Sequence, residues 1–155
     1  MEVKRYKVTR PVSVSLEGCV FMNNKKPIKS FRDLEVYCNT YEAMLVVMRS
    51  LIDQLPDSEK YDLRSQLSRA CKAIPRLIAD GYAKRHQRAG FRKYLDDAMG
   101  ECNEMIVSIE QVKDIYQVET DLCDQLINTY DKSARQLYKL SVAWTQFKRP
   151  TNVTP

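Results

Sequence analysis

The stretch SFRDLEVYCNTYEAMLVVMRSLIDQL, residues 30–55, decides the fold. Its apolar side chains fall at Phe31, Leu34, Tyr37, Tyr41, Met44, Leu45, Met48, Leu51, Ile52 and Leu55, in steps dominated by three and four. That is the period of one helix face. Ser30 is a good N-cap, and Asp33 stands where the partner in a capping box stands, so a helix is predicted over 30–54. Val36, Val46 and Val47 lie off the main stripe. A helix buried on one side only would not need them, so burial on two sides is expected.

The same period continues downstream. Pro56-Asp57-Ser58 reads as a stop and a new start, followed by Leu63, Leu67, Ala70, Cys71, Ile74, Leu77 and Ile78, which predicts a helix over 58–84. Pro75 lies inside it and removes a backbone donor, so a kink is expected there, with Gly81 loosening the end. A third stripe, from Phe91 through Leu95, Cys102, Met105 and Ile109 to Tyr116, predicts a helix over 88–115. A fourth, from Leu122 through Leu126, Tyr130 and Leu137 to Phe147, predicts one over 119–147, ended by Pro150. Long amphipathic helices with short connections make an all-α, up-down-up-down antiparallel four-helix bundle over 30–148 the expected fold. Residues 1–29 differ: Val12, Val14 and Leu16 alternate with Ser13 and Ser15 in strand period, and Arg5 to Thr9 offers a partner strand. A lone hairpin is marginal, so this extended N-terminal arm is expected to pack on the bundle, pair with a neighbour or stay mobile. Residues 149–155 read as a disordered tail.

The chain of 155 residues fits one domain, and 44% hydrophobic with 29% charged residues is ordinary for a globular protein. The longest uninterrupted apolar run, Ala43 to Met48, is far shorter than a membrane span. No apolar segment follows the basic start, so no secretory leader is expected and the cytoplasm is the expected compartment. Cysteines at 19, 38, 71, 102 and 123 show no CxxC spacing and are expected to be reduced and buried. His86 is the one histidine and sits in a basic KRHQR stretch, which leaves no common zinc set. There is no glycine-rich phosphate loop and no Glu-x-x-His pair. Enzymatic activity is therefore the weakest class, and no cofactor or metal is expected. Nine tyrosines occur, and Tyr37, Tyr41, Tyr94 and Tyr130 fall on apolar stripes, where core or interface roles are expected rather than base stacking.

The net charge of +5 hides segregation. Residues 1–30 carry seven basic and two acidic groups, residues 101–131 one basic and eight acidic, and residues 132–155 five basic and no acidic. Arg69, Lys72 and Arg76 are spaced by three and four, Arg85, Arg88 and Arg92 similarly, and Lys132, Arg135 and Lys139 again. Three readings stay open. Such rows can track a phosphate backbone and release counterions. They can be solvated faces, as charge runs usually are, salt-bridged to Asp62, Asp80, Asp96, Asp97 or the acidic stretch of the third helix. They can also meet that acidic stretch on another subunit.

The runs SFRDLEVY at 30–37, SEKYDLRSQLSRACKAIP at 58–75, IADG at 78–81 and FRKYLDDAMGECNE at 91–104 resemble a known family. Its members are four-helix-bundle proteins encoded in intervening sequences of bacterial large-subunit ribosomal RNA genes. The fold is similar to that of the accessory variability determinant of diversity-generating retroelements. The resemblance covers about residues 30–147 and departs from the family pattern at Leu77, Asp80, Gln87 and Gly90. It implies a bundle that assembles into a homo-oligomeric ring, commonly a pentamer. It also implies binding of RNA or DNA, or of a reverse transcriptase as an accessory scaffold. On that basis Arg69, Lys72, Arg76, Arg85, Arg88 and Arg92 are the expected nucleic-acid contacts, and Val36, Val46 and Val47 the expected oligomer interface.

Overall fold

Residues 27–146 are described by the structure, a computed structural model, with side chains through Trp144. The expected arm lies outside these residues except for its last three, and the expected tail lies wholly outside. The Ser30–Asp33 box forms: the Asp33 carboxylate accepts from the Ser30 N–H at 2.8 Å, and Ser30 Oγ accepts from the Arg32 N–H at 3.3 Å. It opens only a 3-10 turn, Phe31–Asp33. Leu34 then takes an extended backbone (φ −80°, ψ 119°) with its side chain buried, and the first α-helix, α1, spans Glu35–Val46. Helix α1 runs on into a π turn, Val47–Leu51, and a 3-10 turn, Ile52–Gln54.

After Pro56 the chain makes a short 3-10 turn, Asp57–Glu59, and α2 spans Leu63–Ala83. The Glu59 carboxylate accepts from the Leu63 N–H at 3.2 Å and satisfies one donor at the start of α2. Pro75 is buried within α2 and does not end it. Gly81 is buried, and a Cβ there would lie 3.0 Å from Tyr94 Cβ. The expected loosening at Gly81 is thus a close approach of α2 to the next helix. That helix, α3, spans Arg88–Gln111 and extends through a π turn, Val112–Tyr116. Helix α4 spans Thr120–Gln146.

Consecutive helices pack side by side, and α4 closes the ring against α1. The result is the expected four-helix bundle. Its core runs from Val36 and Ala43 through Leu67, Ile74 and Ile78 to Leu95, Met105, Leu126 and Leu137. Tyr130 is fully buried at the centre, and its hydroxyl has no hydrogen-bond partner among the described residues. Among the described residues, no helix is long and apolar enough to cross a membrane.

The stripe expected to be the main buried face of the first helix is not its core face: Tyr41 is exposed and Tyr37, Met44, Leu45 and Met48 are half-buried, whereas the off-stripe valines face the core with Asn39, Thr40 and Ala43. Val36, Val46 and Val47 are 5%, 4% and 0% exposed in the single chain, so the oligomer interface assigned to them is corrected to core. The cause is packing within the chain: α1 touches both α2 and α4, and Val36, Ala43, Val46, Val47 and Leu51 share one face in steps of three and four, or sums of them. The π turn carries the burial on through Ile52.

The α3–α4 turn carries the described backbone's positive-φ residues, Gln117 at 52° and Glu119 at 43°. Gln117 is a left-handed C-cap whose N–H donates to the Lys113 carbonyl at 3.1 Å. That geometry costs a residue with a Cβ about 1–2 kcal/mol, part of which glycine returns as entropy of the unfolded chain. Gln117→Gly is expected to stabilise the bundle by about 0.5–1 kcal/mol, read as a higher urea midpoint at unchanged slope.

Candidate nucleic-acid interface

The α2 stripe Leu67, Cys71, Ile74 and Ile78 is fully buried, which leaves Arg69, Lys72 and Arg76 on the exposed face of the same helix. These cations line an open groove of about 740 Å³ together with Phe31, Tyr37 and Tyr41. The rings come from the 3-10 turn and α1, the cations from α2. Phe31 meets Tyr37 edge-on at 4.8 Å between centroids, and Tyr37 stacks on Tyr41 at 5.8 Å with 26° between planes. Tyr41 is 43% exposed. Of the core or interface roles expected, Tyr130 has the core role, whereas Tyr41 is not a core residue. The available signal was the choice of tyrosine rather than leucine on the flank of the α1 stripe, since a ring with a polar tip suits a half-wet position.

The six cations assigned from the sequence divide into two groups. Arg85, Arg88 and Arg92 do not line the groove. Arg85 lies at the α2–α3 turn, its guanidinium 4.3 Å above the Tyr82 ring and donating to the Tyr82 carbonyl at 2.9 Å. The Arg85 carbonyl accepts from the Trp144 indole N–H at 3.2 Å, which ties the end of α4 to that turn. Arg88 is exposed at the start of α3, and Arg92 lies 3.8 Å from Asp96 one turn on.

Carboxylates of the same chain take part of each row. Arg69 pairs with Glu104 of α3 at 2.6 Å, Lys132 with Glu35 of α1 at 3.1 Å, and Arg135 with Asp131. The Lys132 ammonium is also the first cause that holds the Glu35 carboxyl below its ordinary range. Lys72 is exposed and makes no ion pair among the described residues, and Arg76 Nε donates only to the Lys72 carbonyl at 3.3 Å. The Arg69–Glu104 pair is exposed on the arginine side, and such pairs contribute roughly 0–1 kcal/mol. A phosphate can compete for that guanidinium.

Nucleophilic chemistry is poorly served. Burial pushes the Cys71 thiol up to about 11 and the Cys102 thiol up to about 12, so neither supplies thiolate at neutral pH. Cys123 is also buried and its thiol raised for the same reason. His86 is exposed in the α2–α3 turn.

Glu101 stands on α3 beside this basic face. Burial raises its carboxyl above the ordinary range and the Glu104 charge adds to the rise, while Arg69 and Arg76 pull the other way. Its Oε2 is buried without a hydrogen-bond partner among the described residues. A carboxyl whose pKa rises on folding contributes stability below its unfolded pKa and loses it as pH climbs through the folded value. Glu101→Gln is therefore expected to raise the melting temperature near about pH 7 and to lose that advantage by about pH 4, as thermal scans across pH would show.

No curated protein matches the chain significantly. The family profile described as 23S rRNA-intervening sequence protein matches residues 32–139, which takes in α1, α2, α3 and most of α4. With more than two thirds of its 155 residues matched, this chain belongs to the 23S rRNA-intervening sequence protein family.

Proposed function

We propose that the protein is a non-enzymatic, cytoplasmic homo-oligomer that binds RNA or DNA through the phosphate backbone. The observation that carries this reading is the α2 row, Arg69, Lys72 and Arg76, exposed along an open groove with Lys72 and Arg76 outside any ion pair among the described residues. Backbone charge supplies affinity without sequence information, and no base-reading motif stands in the chain, so selectivity would be low or come from a partner. A ring, commonly a pentamer in the group that the sequence resembles, would repeat the groove and turn weak contacts into avid binding. With the three valines in the core, subunit contacts would draw on exposed apolar side chains, which among the described residues include Tyr61, Val107, Ile115 and Tyr138.

One observation favours a second reading, a scaffold for a protein partner such as a retroelement reverse transcriptase. Four of the nine turn-spaced cations, Arg69, Arg92, Lys132 and Arg135, are already paired within the chain. That reading predicts no salt-dependent retention of nucleic acid by the pure protein.

The test is fluorescence anisotropy of labelled RNA and DNA at several salt concentrations, with light scattering for the oligomer. The double variant Lys72→Glu with Arg76→Glu is expected to lose at least tenfold in affinity, and its salt slope is expected to fall by about two, one for each lost phosphate contact. Circular dichroism should be unchanged, since both side chains are exposed. Equal binding by the variant and the wild type would remove the assigned patch, and no binding by the wild type would favour the scaffold.

A further inference from the structure

The groove has a second wall that backbone charge does not use. Along it the rings run in series: Phe31 holds Tyr37 edge-on, and Tyr37 supports one face of Tyr41. Tyr41 is 43% exposed, and no other ring or cation covers it among the described residues. A half-exposed tyrosine backed by a second ring can serve as a stacking platform without first being brought into place by a ligand. Across the groove, Lys72 and Arg76 lie one helical turn apart, about 6 Å along the axis, a distance of the order of one nucleotide step. The groove therefore offers a π-face and a pair of cations to the same occupant.

We infer that the groove takes a single-stranded segment of nucleic acid, with a base stacked on Tyr41 and the flanking phosphates held by Lys72 and Arg76. This rests on the backbone-binding reading above and narrows it to strands with unpaired bases. In a duplex the base faces are stacked on each other and closed to a protein ring, whereas every unpaired base has a face to give. The volume of about 740 Å³ is that of a site for a small ligand, which suits one or two nucleotides rather than the body of a double helix. The positive wall argues against the chain's own N-terminal arm as occupant, because residues 1–30 carry seven basic and two acidic groups.

The experiment compares a short labelled oligouridine or oligothymidine with a blunt duplex of matched length, on wild type, Tyr41→Leu, Tyr41→Trp and the Lys72→Glu, Arg76→Glu double variant. Wild type is expected to prefer the single strand. Tyr41→Leu is expected to lose roughly 5- to 100-fold on the single strand, the scale of one base–ring stack, so that its preference over duplex collapses. Tyr41→Trp is expected to keep the preference, and the double variant to lose both ligands. Unchanged single-strand affinity in Tyr41→Leu, with the double variant impaired, overturns the stacking inference and leaves backbone binding standing. Absence of binding by wild type overturns both. A smaller oligomer for Tyr41→Leu by light scattering also overturns the inference, since the groove would then be a subunit contact.

Discussion

The buried stripe of α2 is the constraint on which the surface depends. Leu67, Cys71, Ile74 and Ile78 are wholly enclosed, and any rotation of α2 about its axis would expose them. Each such side chain contributes roughly 1.5–3 kcal/mol by leaving water, far more than any exposed ion pair could return. The rotation is thus locked by the core, and the charged face is held where the apolar face leaves it. Arg69, Lys72 and Arg76 face outward as a consequence of packing, whatever they bind.

Charge on this bundle is arranged across helices as well as along them. The acidic α3 supplies Glu104 to Arg69 and places Glu101 near Arg69 and Arg76, while α1 supplies Glu35 to Lys132. Each contact is partly exposed and weak, so each permits exchange. A polyanion that approaches α2 competes with Glu104 for one guanidinium but meets Lys72 with no carboxylate in place among the described residues. The rows on α3 and α4 offer less, because Arg92 and Arg135 are engaged by carboxylates one turn away on their own helices.

Much of the architecture was legible in the sequence because stripe spacing and prolines are local signals. The positions of all four helices follow from them. Which face of the first helix enters the core was not legible. The tyrosines and methionines give the longer apolar stripe, so Val36, Val46 and Val47 read as a second side, while the true core face mixes them with Asn39, Thr40 and Ala43, two of which are polar. The start of the first helix was read early because the Ser30–Asp33 box is real but closes a 3-10 turn. The cations were legible as rows, yet their division depends on packing: the α2 row lines a groove, whereas Arg85 is folded onto Tyr82. The aromatic wall was invisible because a tyrosine on an apolar stripe reads the same whether a helix or open groove lies beyond it.

The π turn at Val47–Leu51 also joins two regions with different tasks. Upstream of it, the 3-10 turn and α1 present the ring series; beyond its start, the same chain seats Leu51, Ile52 and Leu55 in the core. Ordinary helical bonding over the same five residues would shift the angular phase between the two halves by about 100°. Either the lower anchor or the upper rings would then face the wrong way. The wide turn therefore sets the phase of the helix: substitutions among similar apolar residues are absorbed locally and loss of one residue can be taken up by closing the turn, but an added residue is transmitted to the far end of the helix.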